Sequence, residues 1–192
     1  MSKKQGYTKI VTVVVAAIMA LGIVLAPTAA LAKNAQFQGS KDHGIFKITN
    51  APSNKICRLV GLTATGKKQT KLTINKTYKL DENYVASART TKYTVTRIVA
   101  KAFNGSKVKT LVLPTSLKKI DAKAFYGSKA KTLTIKLKSK NLTKAKTIKN
   151  AFKGSKAKKI TFKVPKSKLS AYKKVLTKKN LGTKATIVVK GY

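Results

Sequence analysis

Apolar residues recur along the second half of the chain in a block that repeats at similar spacing. The block Ala-Phe-x-Gly-Ser-Lys occurs three times, and its phenylalanines, 22 and 27 residues apart, are Phe103, Phe125 and Phe152. A run of the type Leu-x-x-Leu-x-Leu follows each block, in residues 108–113, 130–135 and 157–162. A weaker fourth copy ends with Ile187 and Val189. This periodicity predicts a repeat protein, in which each unit buries its apolar face against the next.

The run after each block alternates between two faces of a short strand. In the first copy, Leu111 and Leu113 point to one side, and Thr110 and Val112 point to the other. The alternation therefore predicts a sheet with one buried face and one exposed face. The exposed positions are the candidate ligand face: Thr110, Val112, Thr132, Thr134, Lys159 and Thr161.

The block itself predicts a turn that contains a short helix. Asp121 is placed to cap a helix over residues 122–126. Gly127 can adopt the left-handed conformation that ends it. Phe125 faces inward, so the equivalent phenylalanines of neighbouring units are expected to stack as a spine. The serine of the block recurs with the repeat, which indicates a turn residue and not a nucleophile.

Shorter apolar runs flank the repeats. Those in residues 45–49, 56–62 and 71–78 alternate with polar turns and predict β-hairpins, which we interpret as a cap over the first unit. Residues 167–179 carry apolar side chains at helical spacing and are followed by Gly182. We expect a helix that packs on the last unit. An amphipathic helix at a membrane surface is the alternative.

The repeat block resembles the BspA-like leucine-rich repeat family of bacterial surface and secreted proteins. The resemblance rests on Ile-x-x-x-Ala-Phe-x-Gly followed by Leu-x-x-Leu-x-Leu-Pro, and it covers residues 70–192 well and 45–70 loosely. Pro114 stands where many leucine-rich repeats carry a buried Asn, and the family's usual Cys is replaced by serine, at Ser106, Ser128 and Ser155.

The resemblance implies an α/β fold. We expect a short leucine-rich-repeat solenoid of about three to four coils, each a strand plus a short helical turn. An N-terminal β cap and a C-terminal capping helix and strand complete it. The family also implies an extracellular setting and, for some members, adhesion to host or matrix proteins.

The N-terminal residues have the pattern of a secretory signal peptide. Three lysines precede an apolar run over residues 10–25, and Ala30 and Ala32 frame a small-residue cleavage site. The run is shorter than the roughly 20 residues that span a membrane, so we expect cleavage after Ala32 and no stable membrane insertion; an uncleaved anchor is the alternative. The predicted organisation is a signal peptide (1–32), a flexible leader (33–44), an N-terminal β cap (45–92) and a repeat region with a C-terminal cap (93–192).

The composition argues against catalysis. The chain has 43 Lys and Arg against 4 Asp and Glu, and a net charge of +39. Its acids and its single histidine are Asp42, Asp81, Glu82, Asp121 and His43. The single cysteine, Cys57, lies in an apolar run and is expected to be a buried thiol; an intermolecular disulfide or a reactive site is the alternative. No Cys and His spacing suggests a metal site, and no glycine-rich phosphate loop is present. We predict no enzyme, no cofactor and no metal.

The basic surface predicts attraction to polyanions. The chain has no Trp and only three arginines, Arg58, Arg89 and Arg97. Because Arg, and not Lys, recognises bases and phosphates through two hydrogen bonds, nucleic acid is expected to bind only non-specifically. We predict a secreted or cell-surface binding or adhesion module, held to anionic wall polymers or acidic glycans, with a host or matrix protein as a further ligand. The alternatives are an extracellular nucleic-acid-binding matrix protein and a structural surface component without a discrete ligand. The lysines could also serve solubility alone.

Overall fold

The computed structural model describes residues 36–38, 44–48, 55–79 and 92–192. The predicted signal peptide and most of the predicted leader lie outside these residues. So do several of the charged residues considered above: Asp42, His43, Asp81, Glu82 and Arg89.

The described residues form eleven strands and three α-helices. The strands are Gln36–Gln38 (β1), Gly44–Ile48 (β2), Ile56–Leu62 (β3), Lys71–Thr73 (β4), Thr77–Lys79 (β5), Lys92–Ile98 (β6), Thr110–Leu113 (β7), Lys119–Ile120 (β8), Thr132–Leu137 (β9), Lys159–Val164 (β10) and Thr186–Gly191 (β11). The helices are Ala64–Lys68 (α1), Leu169–Val175 (α2) and Lys178–Leu181 (α3), and two 3-10 turns span Ala145–Thr147 and Lys166–Lys168.

The strands belong to two sheets. The mixed sheet has the order β1-β2-β3-β6-β5, with β8 paired to β6. The parallel sheet has the order β11-β10-β9-β7-β4, and each of its pairs is parallel. The chain passes from the mixed sheet through a turn to the parallel sheet, then returns, and we call one such pass a coil. Parallel neighbours require this kind of crossover.

Successive coils follow the same path with changing elements. The first runs β3, α1 and β4, the second runs β6, a turn and β7, and the third runs β8, a turn and β9. In the fourth coil the 3-10 turn at Ala145–Thr147 precedes the turn before β10, and in the fifth α2 and α3 precede β11. The repeat α/β architecture expected from the sequence is therefore present.

Phenylalanine rings form the predicted spine between the two sheets. Phe103 and Phe125 stack with ring centroids 4.5 Å apart, and Phe125 and Phe152 stack at 4.3 Å. All three are 1% exposed. Each phenylalanine N–H also donates to the next coil at 3.0 Å, to the carbonyls of Ala124, Ala151 and Leu181 respectively. The rings and the backbone thus repeat together, and the predicted spine is confirmed.

The predicted helix over residues 122–126 is wrong. This segment is a series of turns, because every second N–H group bonds to the neighbouring coil, while those of Ala124 and Tyr126 bond three residues back within the segment. Lys123 donates to Asn150 at 2.8 Å, and Gly127 donates to Gly154 at 3.0 Å. Asp121 does not cap a helix with its side chain, which accepts hydrogen bonds from Arg97. The left-handed conformation predicted for Gly127 is present, with φ at +69°.

The N-terminal part also differs from the hairpins that were predicted. The pair β2 and β3 is an antiparallel hairpin. Residues 63–68, expected to be a turn, instead hold α1, whose N-terminus is capped by the Thr63 side chain. This helix carries the chain away from β3, so β4 joins the parallel sheet. Strand β1 lies within the predicted leader and pairs with β2 in an antiparallel arrangement.

The C-terminal helix predicted over residues 167–179 is divided in two. Helix α2 ends at Leu176, whose ψ of 62° leaves the helical region, and Thr177 then caps α3 by accepting from the Asn180 N–H. Tyr172 and Val175 face inward and join the hydrophobic core, as the packing prediction requires. Across the described ranges, no helix has the length and apolar character to cross a membrane.

Serine hydroxyls join the coils on the far side of the parallel strands. Ser116 donates to the Val95 carbonyl at 2.6 Å, and Ser139 donates to the Leu117 carbonyl at 2.6 Å. Ser139 is fully buried, and its own carbonyl accepts from the Tyr172 hydroxyl at 2.7 Å. These bonds satisfy buried polar groups between coils in a region where Pro114 leaves no asparagine ladder.

Candidate binding surface

The exposed side of the parallel sheet is a regular surface to which five strands contribute. Along β9, Leu133, Ile135 and Leu137 are buried in the core, whereas Thr132 and Thr134 face outward. The same alternation continues in β7 and β10, because side chains change face at every residue of a strand. We call this outer side the sheet face.

The strand register arranges the sheet face into three rows that cross the strands. One row holds the outermost residues at the start of the longer strands: Thr132, Lys159 and Thr186. The central row is Lys71, Thr110, Thr134, Thr161 and Val188. The third row is Thr73, Val112, Lys136, Lys163 and Lys190. Neighbours in a row are separated by the strand spacing of about 4.8 Å.

All six residues of the candidate ligand face lie on the sheet face. Some of their neighbours on adjacent strands differ, however, from the neighbours that alignment of the repeat blocks predicts. Aligning the repeat blocks places Leu111 beside Leu133. In the structure, Leu111 pairs with Ile135, a shift of two residues. A shift of two keeps every side chain on its own face, so the apolar residues remain buried. It does bring Thr110 beside Thr134 and Val112 beside Lys136.

Three lysines that were not predicted complete this surface. Lys136, Lys163 and Lys190 are consecutive register partners on β9, β10 and β11. The Lys136 ammonium group lies 4.1 Å from the centre of the Tyr192 ring, a cation–π contact. The sequence does contain a signal for this row, since each lysine follows an outward-facing residue by two positions. The sequence analysis did not include these lysines in the candidate ligand face, because the Leu-x-x-Leu-x-Leu run ends before them.

The sheet face has no acidic side chain to balance its lysines. The five strands of the parallel sheet contain no Asp or Glu, and Asp121 is the single acid among the described residues. Aligned cations without counter-charges generate a local positive field that attracts anions.

The serines of the repeat block are structural, as predicted. Ser106 and Ser155 each accept a hydrogen bond from the N–H two residues further on, at 3.2 Å. Ser128 and Ser155 share a hydrogen bond of 3.0 Å between their hydroxyls. These oxygens are therefore engaged in hydrogen bonds within and between turns.

Cys57 is the buried thiol expected from the sequence. It is fully buried, unpaired with another cysteine, and 3.8 Å from the Tyr93 carbonyl oxygen. Burial raises the pKa of this thiol to about 12, so the reactive thiolate is scarce at neutral pH. Within the described part of the chain, no group of three or more metal-ligating side chains is present.

Comparison with known proteins assigns the repeat. The model of the BspA type leucine rich repeat region matches residues 82–183 in six copies. Among solved structures, the chain is similar to a leucine-rich repeat protein from Bacteroides capillosus ATCC 29799, at 17% identity and a TM-score of 0.45, over 81% of this chain and 99% of that one. No curated protein matches the chain. The family match spans more than half of the sequence, and the chain therefore belongs to the BspA-type leucine-rich repeat family.

Proposed function

We propose that this protein is an exported binding or adhesion module, whose sheet face contacts a protein ligand and whose lysines hold it to anionic polymers at a cell surface. Leucine-rich repeats of this type generally mediate protein binding and are typically non-enzymatic, and the family is typical of surface and secreted bacterial proteins. The signal-peptide pattern of residues 1–32 supports export. In this proposal the coils form a short solenoid, whose N-terminal cap (residues 45–92) includes the first coil and whose C-terminal cap consists of α2, α3 and β11 of the last coil.

The row of Lys136, Lys163 and Lys190 carries the proposal. These lysines are separated by about one strand spacing each and therefore present a linear array of positive charge. Lys is a point charge that does not require a fixed ligand geometry, so this array suits a flexible chain of anionic groups. The central row of the sheet face lies beside this array. The hydroxyl groups of its threonines can donate and accept hydrogen bonds, which suits contact with a protein or a glycan.

The test compares two triple variants with equal net charge. The first replaces Lys136, Lys163 and Lys190 with Gln. The second replaces three exposed lysines of the C-terminal half that lie outside the parallel sheet: Lys146, Lys173 and Lys174. Binding to a purified anionic wall polymer, an acidic glycan and duplex DNA is measured over a salt series.

We expect the sheet-face triple to reduce the slope of log affinity against log salt by about 2, because three counterion-releasing contacts are lost. The matched triple should change the slope by less than about 1. Equal losses for both variants would show that net charge and not the sheet face controls binding. Tighter binding to DNA than to the other polymers would favour the nucleic-acid alternative.

A further inference from the structure

The outer face of the mixed sheet carries a second cationic cluster, made by the chain's rare arginines. The chain has three arginines among its 43 basic residues, and two of them, Arg58 on β3 and Arg97 on β6, are direct register partners. Lys119 on β8 is the next partner of Arg97. Three adjacent strands therefore place basic residues in one row, which we call the arginine row.

One member of the arginine row is paired with an acid. The Arg97 Nε lies 2.9 Å from both carboxylate oxygens of Asp121, and its Nη2 lies 2.9 Å from Oδ2. The Lys119 ammonium group is 3.8 Å from Oδ1 of the same carboxylate. The Asp121 side chain is 14% exposed, so its carboxylate is largely shielded from solvent. The carboxylate is thus committed to Arg97 and Lys119.

Arg58 differs from Arg97 because no acid among the described residues pairs with it. Its side chain is half-buried, and its Nε is shielded from solvent without a hydrogen-bond partner among the described residues. A buried N–H without an acceptor destabilises the folded chain, and the adjacent positive charge of Arg97 adds repulsion. A lysine or threonine, both abundant in this chain, would avoid the orphaned Nε. What arginine adds at this position is a planar edge of two donors that matches an oxyanion.

We infer that Arg58, together with Arg97 and Lys119, forms a binding site for a doubly charged tetrahedral oxyanion, of which a phosphate group is the biological example. The three cations and Asp121 leave this cluster with two uncompensated positive charges. A dianion balances two charges, whereas a carboxylate balances one. Binding would also give the Arg58 guanidinium the acceptor that it lacks, after a rotation of its side chain toward solvent. The site lies on the mixed sheet, so it does not depend on the function proposed for the sheet face.

The experiment titrates the full chain with inorganic phosphate by calorimetry at constant ionic strength, with sulfate and acetate as comparison anions. The variants are Arg58→Gln, which removes the charge, and Arg58→Lys, which keeps it without the two-donor edge. Lys131→Gln serves as the matched control, since it removes one exposed charge outside the arginine row. Thermal unfolding of each variant is recorded with and without phosphate.

We expect both Arg58 variants to bind phosphate about tenfold more weakly than the wild type, and Lys131→Gln to stay within about twofold. Sulfate should bind like phosphate, and acetate more weakly. Phosphate should raise the unfolding temperature of the wild type but not of Arg58→Gln. Without phosphate, Arg58→Gln should unfold at the same or a higher temperature, since the orphaned Nε is gone. An arginine with a purely structural role would give the opposite sign.

Three outcomes would overturn the inference. If Arg58→Gln binds phosphate with the affinity of the wild type, Arg58 does not contribute to the site. Wild-type affinity in Arg58→Lys, or equal affinity for acetate, would reduce the effect to unspecific charge attraction. No measurable binding of phosphate to the wild type would show that the arginine row is not an oxyanion site. None of these outcomes bears on polymer binding by the sheet face, which the lysine triples test separately.

Discussion

The central ring of the phenylalanine stack is the position where one substitution removes the largest set of repeated contacts. Phe125 lies between Phe103 and Phe152, with interplanar angles of 2° and 8°, and is 1% exposed. Phe125→Ala deletes the ring and leaves a cavity bounded by two other rings, each of which loses a stacking partner. We expect the free energy of unfolding to fall by about 3–5 kcal/mol. Since domains are usually stable by about 5–15 kcal/mol, the loss takes a large part of the total.

Urea unfolding followed by circular dichroism measures this loss. The matched control is Tyr126→Ala, which changes the next residue in the chain. The Tyr126 side chain is 44% exposed and its ring has a cation–π contact with Lys101 at 5.8 Å. Its removal should destabilise the chain by about 1 kcal/mol or less.

A double-mutant cycle isolates the stacking itself. Phe103→Ala and Phe125→Ala are measured singly and together, and the coupling free energy should be about 0.5–1.5 kcal/mol, the value of a stacked aromatic pair. Similar losses for Phe125→Ala and Tyr126→Ala, or a coupling free energy of zero, would refute the idea that the rings form a cooperative spine.

Two further predictions follow from the turns and from the buried thiol. Gly127→Ala should destabilise the chain by about 1–2 kcal/mol in urea unfolding, because φ is +69° and the new Cβ would lie 2.2 Å from the Asn104 side-chain oxygen. Gly61→Ala is the control: its Cβ would meet its nearest atom at 4.0 Å, so the urea midpoint should change little. Burial raises the pKa of Cys57 to about 12, so its stabilising contribution is complete below pH 9.0 and is lost as the pH rises from there toward 12. Wild-type stability should therefore fall with pH by up to about 1.4 kcal/mol per unit more steeply than that of Cys57→Ala, and parallel curves would contradict the assignment.

The features that sequence predicted correctly are those that depend on local repetition. The phenylalanine spacing predicted the spine, and the alternation around Leu111 predicted the two faces of the sheet. Gly127 was recognisable because few other residues adopt its backbone conformation. In each of these cases the motif within a unit, or its recurrence along the chain, carries the necessary information.

The features that sequence missed depend on which groups meet across coils. Residues 122–126 are compatible with a helix, and they form turns because the next coil supplies better-placed carbonyls. Asp121 and Arg97 are 24 residues apart, so local reasoning assigned the acid to a cap. The register of β7 against β9 is set by packing between coils, and a shift of two residues leaves the hydrophobic pattern unchanged. The lysine row could not be located without that register.

The backbone ladder of the turns has a consequence for how such proteins change in length. Each turn donates to the next coil and accepts from the previous one through equivalent atoms, and this holds although the phenylalanines are 22 residues apart in one step and 27 in the next. A duplicated or deleted unit would therefore meet a compatible neighbour on either side. Each added unit would widen the sheet face by about 4.8 Å and bring its own outward-facing residues. Recombination between similar repeats can thus adjust the reach of this surface in discrete steps, while the contacts that hold the fold together stay the same.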